Sequence, residues 1–168
     1  MNETTRVPWT PDSWRAYRAR DKDNGLTGHI GKDEDIQRRA NIITELNIIT
    51  GANNLIDYGV NEYLYTNLNS NINITSIEID PDAKATLDTY ILINGNYREL
   101  VSPQNNTIYT YHLFMDTTRE QSKLAKEVIY RLVNGEIQNS YMIVWERISK
   151  ETQNYTIYNL STGKVLGN

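Results

Sequence analysis

The sequence predicts an α/β fold in which helices flank a parallel sheet and an antiparallel hairpin ends the chain. Strand-like and helix-like hydrophobic patterns alternate along most of the sequence. The segment SYMIVWERI is an almost continuous apolar run, which is typical of a strand covered on both faces. The last segment, NYTIYNLSTGKVLG, contains two strand-like runs around a Ser-Thr-Gly turn, and this indicates a hairpin.

Length and composition favour one soluble domain. The 168 residues carry a net charge of −4 and include no cysteine, which excludes disulfides and thiolate metal sites. No apolar run approaches the ~18 residues that span a membrane, and the N-terminal segment lacks the hydrophobic core of a signal peptide. We therefore expect a cytoplasmic protein. Frequent Asn and Ile with scarce Ala suit an AT-rich genome, such as that of a phage.

The charge pattern argues against nucleic acid as a partner. The isoelectric point is about 5.2, whereas proteins that grip phosphates usually present a basic face. The one local basic cluster, SWRAYRAR, is typical of a solvated helix face. The two histidines, His29 and His112, are far apart in sequence and lack metal-ligand spacing, so we expect no metal site.

The chain divides into an N-terminal segment, residues 1–31, and an α/β domain, residues 32–168. The first segment is polar and rich in Gly, Trp and Arg, and its composition makes it a candidate lid over a site. The domain begins with DEDIQRRANIITELNIITG, a predicted helix followed by Gly51 as its C-terminal cap. Its predicted apolar stripe consists of Ile36, Ala40, Ile43, Leu46 and Ile49.

The next elements alternate in type. NLIDYG predicts a short strand, VNEYLYTNLN about two helical turns, and NITSIEID a strand rich in β-branched residues. PDAKATLDTY predicts a helix with Asp80 as N-cap and Pro81 at the first helical position. YILINGN and TIYTYHLFMD predict the third and fourth strands. TTREQSKLAKEVIYRLVNGEI is the clearest helical pattern, with a capping box of Thr117 and Glu120.

Polar residues stand where the first two predicted strands end, and ligands of parallel sheets bind beyond those ends. Asp57, Tyr58 and Gly59 end the first strand. Glu78 ends the second at about the ~20-residue interval expected between a cofactor loop and a ribose-binding acid. A carboxylate can accept from both ribose hydroxyls, and a glycine lets the backbone approach a ligand. Alternatively, Glu78 caps the following helix together with Asp80.

The later strand ends leave similar alternatives open. Gly95 and Asn96 either meet the edge of a base or form a simple turn. Asp116, at the end of the fourth strand, either orients a substrate or caps the next helix. Glu146, at the end of the fifth strand, is more simply explained by a surface pair with Arg147.

Five segments in this order and spacing resemble the strand-end motifs of the class I S-adenosylmethionine-dependent methyltransferases, which have a Rossmann-like fold. They are LIDYGVNEYLY, ITSIEIDPDAKATL, INGNYREL, YHLFMDTT and YMIVWERI. The resemblance covers about residues 53–148. It implies S-adenosylmethionine as cofactor. Asp57 and Gly59, with Tyr58 at the turn between them, would lie by its methionine part. Glu78 would bind the ribose hydroxyls, and Ile79 would lie against the adenine.

Other positions depart from the family pattern. Asn96 would replace the acid that usually meets the adenine amine, and Asp116 would face the substrate as the catalytic candidate. The family's loop reads acid-x-Gly-x-Gly-x-Gly, whereas here Asn61 and Tyr63 replace the last two glycines. Asn tolerates left-handed backbone and is a plausible substitute at position 61, but Tyr63 places a bulky side chain where the helix approaches the ligand. The sequence DTTR also lacks the signature of enzymes that methylate base amines.

Three functional interpretations follow. The first is methyl transfer from S-adenosylmethionine to a small-molecule or protein acceptor. The second is a methyltransferase-like protein that no longer catalyses and acts in binding or as a scaffold, as the missing glycines suggest. The third is a phage-type lyase that degrades S-adenosylmethionine, which the short segment GNYRE resembles. The sequence leaves the acceptor and the oligomeric state open.

Overall fold

Two helices and seven strands make up the part of the chain that the computed structural model describes, residues 33–59, 62–69, 71–78, 81–83, 90–94, 103–113, 137–147 and 153–167. The helices are α1 (Asp33–Thr50) and α2 (Glu62–Tyr65). The strands are β1 (Asn54–Tyr58), β2 (Asn73–Glu78), β3 (Tyr90–Asn94), β4 (Thr107–Leu113), β5 (Tyr141–Arg147), β6 (Gln153–Asn159) and β7 (Lys164–Gly167).

All seven strands belong to one mixed sheet with the order β3-β2-β1-β4-β5-β6-β7. The pairs from β3 to β5 are parallel, and β6 pairs antiparallel with both β5 and β7. The turn between β6 and β7 ends at Gly163, which has a φ of 73° and donates its N–H to the Asn159 carbonyl at 2.8 Å. The predicted α/β architecture with a C-terminal antiparallel hairpin is confirmed.

A hydrophobic cluster covers each face of the sheet. On one face, α1 and α2 pack over Leu55, Ile74, Ile108 and Ile143. The other face carries a cluster rich in aromatic and aliphatic side chains, which includes Ile56, Tyr58, Ile77, Tyr109, Tyr111, Ile137, Met142 and Leu160. Because β5 contributes buried side chains to both clusters, its prediction as a strand covered on both faces is confirmed.

Helix α1 confirms the predicted helix but corrects its apolar stripe. Ile49 is 73% exposed, whereas Asn47 is buried and its Nδ2 donates to the Ala52 carbonyl at 2.8 Å. Each three-residue step along a helix falls about 60° short of a full turn. The shortfall accumulates along the predicted stripe, so Ile49 no longer lies on the buried face. The helix ends at Thr50, and Gly51, with a φ of 75° and an N–H bond to the Asn47 carbonyl, forms the predicted cap.

One predicted helix is shorter than expected, and other predicted segments lie outside the described residues. The helix predicted after β1 is only four residues long, and a turn follows it. Residues 1–31, most of the helix predicted after Asp80 and the helix predicted from Thr117 lie outside the described residues. No helix in the described ranges is long and apolar enough to cross a membrane.

Candidate functional site

The candidate site lies at the carboxyl ends of β1 and β2, next to a reversal in strand order. From β1 the chain proceeds outward to β2 and β3, and then returns to place β4 on the other side of β1. Such a reversal opens a crevice beyond the carboxyl ends of the two central strands, where open α/β sheets bind their ligands. This part of the sheet follows the strand order 3-2-1-4-5 of Rossmann-like proteins, and the chain has that class of fold.

Gly59 and Glu78 are neighbours in this structure. The register pairs Tyr58 with Ile77, and the Gly59 N–H donates to the Ile77 carbonyl at 2.7 Å, so the ladder continues one residue beyond β1. Gly59 has a φ of 110°, a conformation that residues with a side chain rarely adopt. Glu78 therefore ends β2 directly beside a turn that requires glycine, with the end of β3 at Asn94 on its other side.

The side chain of Glu78 is 8% exposed. Burying a carboxylate costs free energy unless polar partners compensate for the lost water. A nearly buried acid at a strand end therefore needs polar groups around it. It lies on the α1 face of the sheet, since Ser76 two residues earlier is on that face and alternate side chains point the same way. The structure thus brings together the two features that the sequence predicted for a ribose site.

Asp57 is enclosed one layer below this turn. Its side chain is fully buried, and both carboxylate oxygens accept hydroxyl hydrogen bonds: Oδ2 from Tyr65 at 2.5 Å and Oδ1 from Thr110 at 2.5 Å. The Tyr65 hydroxyl also lies 2.8 Å from Ser76 Oγ and 3.3 Å from the Gly59 carbonyl oxygen. Asp57 therefore joins β1 to β4 and, through Tyr65, to α2.

Tyr58 points to the opposite face of the sheet, away from Asp57. Its ring packs against Tyr111, its neighbour on β4, with 5.4 Å between ring centroids and a tilt of 53°. Burial raises the pKa of both phenols well above the usual value of 10, and neighbouring phenols, Tyr109 for Tyr58 and Tyr58 for Tyr111, add to this. Both side chains are therefore neutral groups of the core on the face opposite α1.

The remaining predicted site residues cannot be placed. Asn61, Ile79, Asn96 and Asp116 lie outside the described residues, and their predicted roles stay predictions. In the described part of the chain, no group of three His, Cys, Asp or Glu side chains has a geometry that could hold a metal ion.

Sequence reasoning missed Tyr65, Ser76 and Thr110. A signal for two of them was present, because Ser76 and Thr110 interrupt β-branched and aromatic runs at the positions that pair with Asp57 on the neighbouring strands. A polar residue at the same level in three adjacent strands predicts a shared hydrogen-bond network. Tyr65 had no such signal, since the length of α2 decides where its hydroxyl lies.

Comparison with known proteins adds a structural likeness only. No protein-family model and no curated protein sequence matches the chain. Among solved structures, the fold is similar to a protein from Staphylococcus aureus described as a putative caffeoyl-CoA O-methyltransferase, with a TM-score of 0.41 and 11% sequence identity. The match covers 79% of this chain and 65% of that one. Likeness at this level does not assign an activity.

Proposed function

We propose that the protein binds S-adenosylmethionine beyond the carboxyl ends of β1 and β2 and transfers its methyl group to an acceptor. One observation carries the proposal: Gly59, with a φ of 110°, lies beside the nearly buried carboxylate of Glu78 at the reversal in strand order. A glycine turn admits the main chain of a cofactor loop to its ligand, and a fixed carboxylate accepts from two neighbouring hydroxyls. Adenosine presents such a pair on its ribose.

The residues have separate roles in this proposal. Glu78 binds the ribose hydroxyls, and the main chain at Gly59 approaches the methionine part of the cofactor. The buried hydrogen bond that Asp57 accepts from Tyr65 suits a role in supporting that turn from below. Ile79 and Asn96 are proposed for the adenine, and Asp116 for the acceptor, on the basis of the sequence alone.

The chemistry asks little of the protein beyond positioning. When bound, S-adenosylmethionine supplies a methyl group that its sulfonium makes electrophilic. The protein then has to hold the acceptor in line with that group and exclude water. A small-molecule or protein acceptor is proposed, since the acidic isoelectric point of about 5.2 does not favour nucleic acid.

Calorimetric titration with S-adenosylhomocysteine tests the cofactor site without knowledge of the acceptor. We expect micromolar binding by the wild type and a roughly 100-fold loss in Glu78→Ala, because two charge-assisted hydrogen bonds disappear. Glu78→Gln keeps the shape of the side chain and removes its charge, so it measures how much the charge contributes to ligand affinity. Glu45→Ala on the exposed side of α1 is the matched control and should bind as the wild type does.

The same titration separates the other interpretations. Equal affinity in Glu78→Ala and wild type, with both folded, would place the ligand elsewhere. Absence of binding at millimolar S-adenosylhomocysteine would leave the scaffold interpretation. Incubation with S-adenosylmethionine alone tests the lyase interpretation. Methylthioadenosine formed without an acceptor would identify a lyase and contradict the proposed methyl transfer. The segment GNYRE that suggests a lyase lies outside the described residues.

A further inference from the structure

The hydroxyl of Tyr65 is at the centre of the buried network beneath the Gly59 turn. It has one hydrogen to donate and can accept others. The contact with Asp57 Oδ2 at 2.5 Å is in the range of a charge-assisted bond, so that carboxylate takes the hydrogen. Ser76 Oγ, at 2.8 Å, then donates to the Tyr65 oxygen. The Gly59 carbonyl, at 3.3 Å, takes the weaker share of a three-centre bond.

The peptide groups on either side of the Gly59 Cα are therefore held by different elements. The N–H of Gly59 is fixed by β2 through the Ile77 carbonyl at 2.7 Å, and its C=O faces the Tyr65 hydroxyl on α2. Only residues 60 and 61 connect this turn to the start of α2. Tyr65 therefore contacts the residue before this short connection and belongs to the helix that follows it.

Helix α2 cannot hold this position by itself. It has four residues, whereas isolated helices need about 12 to 15 residues before they become even marginally stable in water. Its described attachments to the core are Leu64, which is fully buried, and Tyr65. The Leu64 side chain supplies apolar packing, and the Tyr65 hydroxyl supplies a directional contact between the helix and both β1 and β2.

We infer that Tyr65 is a positioning residue for the proposed cofactor loop: its hydroxyl fixes the Gly59 turn through Asp57, Ser76 and the Gly59 carbonyl. Loops of this kind usually rely on further glycines to set the approach of backbone to ligand, and positions 61 and 63 here carry Asn and Tyr. In this chain the hydrogen bonds of the Tyr65 hydroxyl would hold the turn rigid in place of those glycines. The expected effect on ligand binding rests on the proposed function, whereas the effect on the turn does not.

Two variants that each remove one buried hydroxyl bonded to Asp57 test the inference. Tyr65→Phe keeps the ring in the core and removes the hydroxyl with its hydrogen bonds. Thr110→Val keeps the shape of the side chain and removes the bond to Oδ1, which lies on the β4 side. A purely structural role for both hydroxyls predicts the same consequences in the two variants.

Amide hydrogen exchange measures the turn directly. In Tyr65→Phe we expect the Gly59 amide to exchange about tenfold faster relative to the Leu160 amide, because local opening of the turn becomes easier. Leu160 is a suitable reference since its N–H donates to the Ser140 carbonyl at 2.9 Å, away from the turn. In Thr110→Val the ratio should stay within about threefold of wild type. An equal rise in both variants, or no rise in either, would refute the positioning role.

Titration with S-adenosylhomocysteine then connects the turn to the ligand. We expect affinity about tenfold weaker in Tyr65→Phe and unchanged in Thr110→Val, in parallel with the exchange rates. If the wild type itself does not bind, the proposed function fails while the exchange experiment still decides the role of Tyr65. If Tyr65→Phe loosens the turn but binds as tightly as wild type, the turn does not position this ligand and the inference is overturned.

Discussion

The two edges of the sheet differ in the side chains that join their loops. At the amino-terminal edge, neutral amide groups connect the segments before β1, β4 and β5. Asn139 Nδ2 donates to the Thr50 carbonyl at 2.9 Å and to Asn106 Oδ1 at 3.2 Å. Asn105 Oδ1 accepts from the Gln138 N–H at 2.9 Å. The carboxyl edge instead contains the buried carboxylates Asp57 and Glu78.

Asparagine suits the amino-terminal edge for two reasons. Its side chain both donates and accepts, so neighbouring loops can satisfy each other without a ligand. It also tolerates left-handed backbone, and Asn106 and Asn139 have φ values of 56° and 49°. The network consists of neutral groups. Its contribution is to stability.

The carboxyl edge places two carboxyl groups close to a turn that requires glycine, and the two differ in exposure. Asp57 is fully enclosed, while Glu78 retains a small exposed fraction beside Gly59. The side chains that join loops at the amino-terminal edge are neutral amides, whereas the carboxyl edge holds the two carboxyl groups beside which the proposed ligand would bind. Substitutions at the two edges should therefore differ in their effect on binding even where their effect on stability is similar.

The largest expected effect comes from alkaline pH, which ionises three buried tyrosines on the sheet face opposite α1, namely Tyr58, Tyr109 and Tyr111. Burial raises the pKa of Tyr109 to about 12, against the lowering effect of the Gln104 N–H that donates to its hydroxyl at 2.9 Å. Burial raises the pKa of Tyr58 and Tyr111 further. Because these folded-state pKa values exceed the unfolded value of 10, the stability they contribute is complete below pH 10 and is lost as the pH rises through them.

We expect each of these phenols to cost up to about 1.4 kcal/mol of unfolding free energy per pH unit above pH 10. By pH 12 the three groups together should cost about 8 kcal/mol, which is comparable to the ~5–15 kcal/mol of a typical domain's whole stability. Thermal unfolding between pH 8 and 12, followed together with tyrosinate absorbance, checks this. Tyr109→Phe should move the alkaline transition to higher pH, since one ionising group is removed. A melting temperature that stays flat to pH 12 would contradict the prediction.

Equivalent substitutions at two glycines compare the edges directly. Gly59→Ala should lose about 2 kcal/mol of unfolding free energy, because the φ of 110° strains any residue with a side chain. Gly51→Ala, at a φ of 75° with open space around an added Cβ, should lose about 1 kcal/mol. Only Gly59→Ala should also weaken S-adenosylhomocysteine binding. Chemical denaturation and calorimetry measure the two quantities, and reduced binding in Gly51→Ala would contradict the expected difference between the edges.

Two fully buried serines provide a smaller test. Ser140 Oγ accepts from the Thr107 N–H at 3.2 Å and donates to the Gln104 carbonyl at 2.7 Å, at the amino-terminal edge. Ser76 Oγ is the partner of Tyr65 beneath the site. Alanine at either position should lose about 1 to 2 kcal/mol of unfolding free energy, as expected when a buried hydrogen-bonding group disappears. Ligand affinity should fall in Ser76→Ala alone, and an equal fall in Ser140→Ala would count against the comparison.

The sequence predicts the sheet well because strands and their ends have local signals. The apolar runs of β1, β2, β4 and β5 have the expected alternation or continuity, and the interval from Gly59 to Glu78 predicts their proximity before any coordinates. These features depend on residues that are close in sequence or repeat regularly.

Prediction was weaker where long-range geometry decides the outcome. The family resemblance predicts Asp57 beside the cofactor, and no local signal showed that hydroxyls of α2 and β4 donate to its two carboxylate oxygens. The length of α2 was overestimated, since the polar residues after Tyr65 fit a helix as well as a turn. Ile49 looked like a core residue because a three-residue step was counted as the helical repeat. Each case depends on a partner that is distant in sequence or on accumulated rotation.

The smallest expected effect concerns Ile49, at the end of α1 that leads to the amino-terminal edge. Its side chain is 73% exposed, so Ile49→Ala should change the unfolding free energy by less than about 0.5 kcal/mol, with the better helix propensity of Ala offsetting lost contact. Ile43→Ala, on the buried face of the same helix, is the matched control and should lose about 2 to 5 kcal/mol. Urea denaturation measures both. A loss above about 1 kcal/mol in Ile49→Ala would mean that this side chain is buried in solution, and a dependence of that loss on protein concentration would identify a second copy of the chain as the cover.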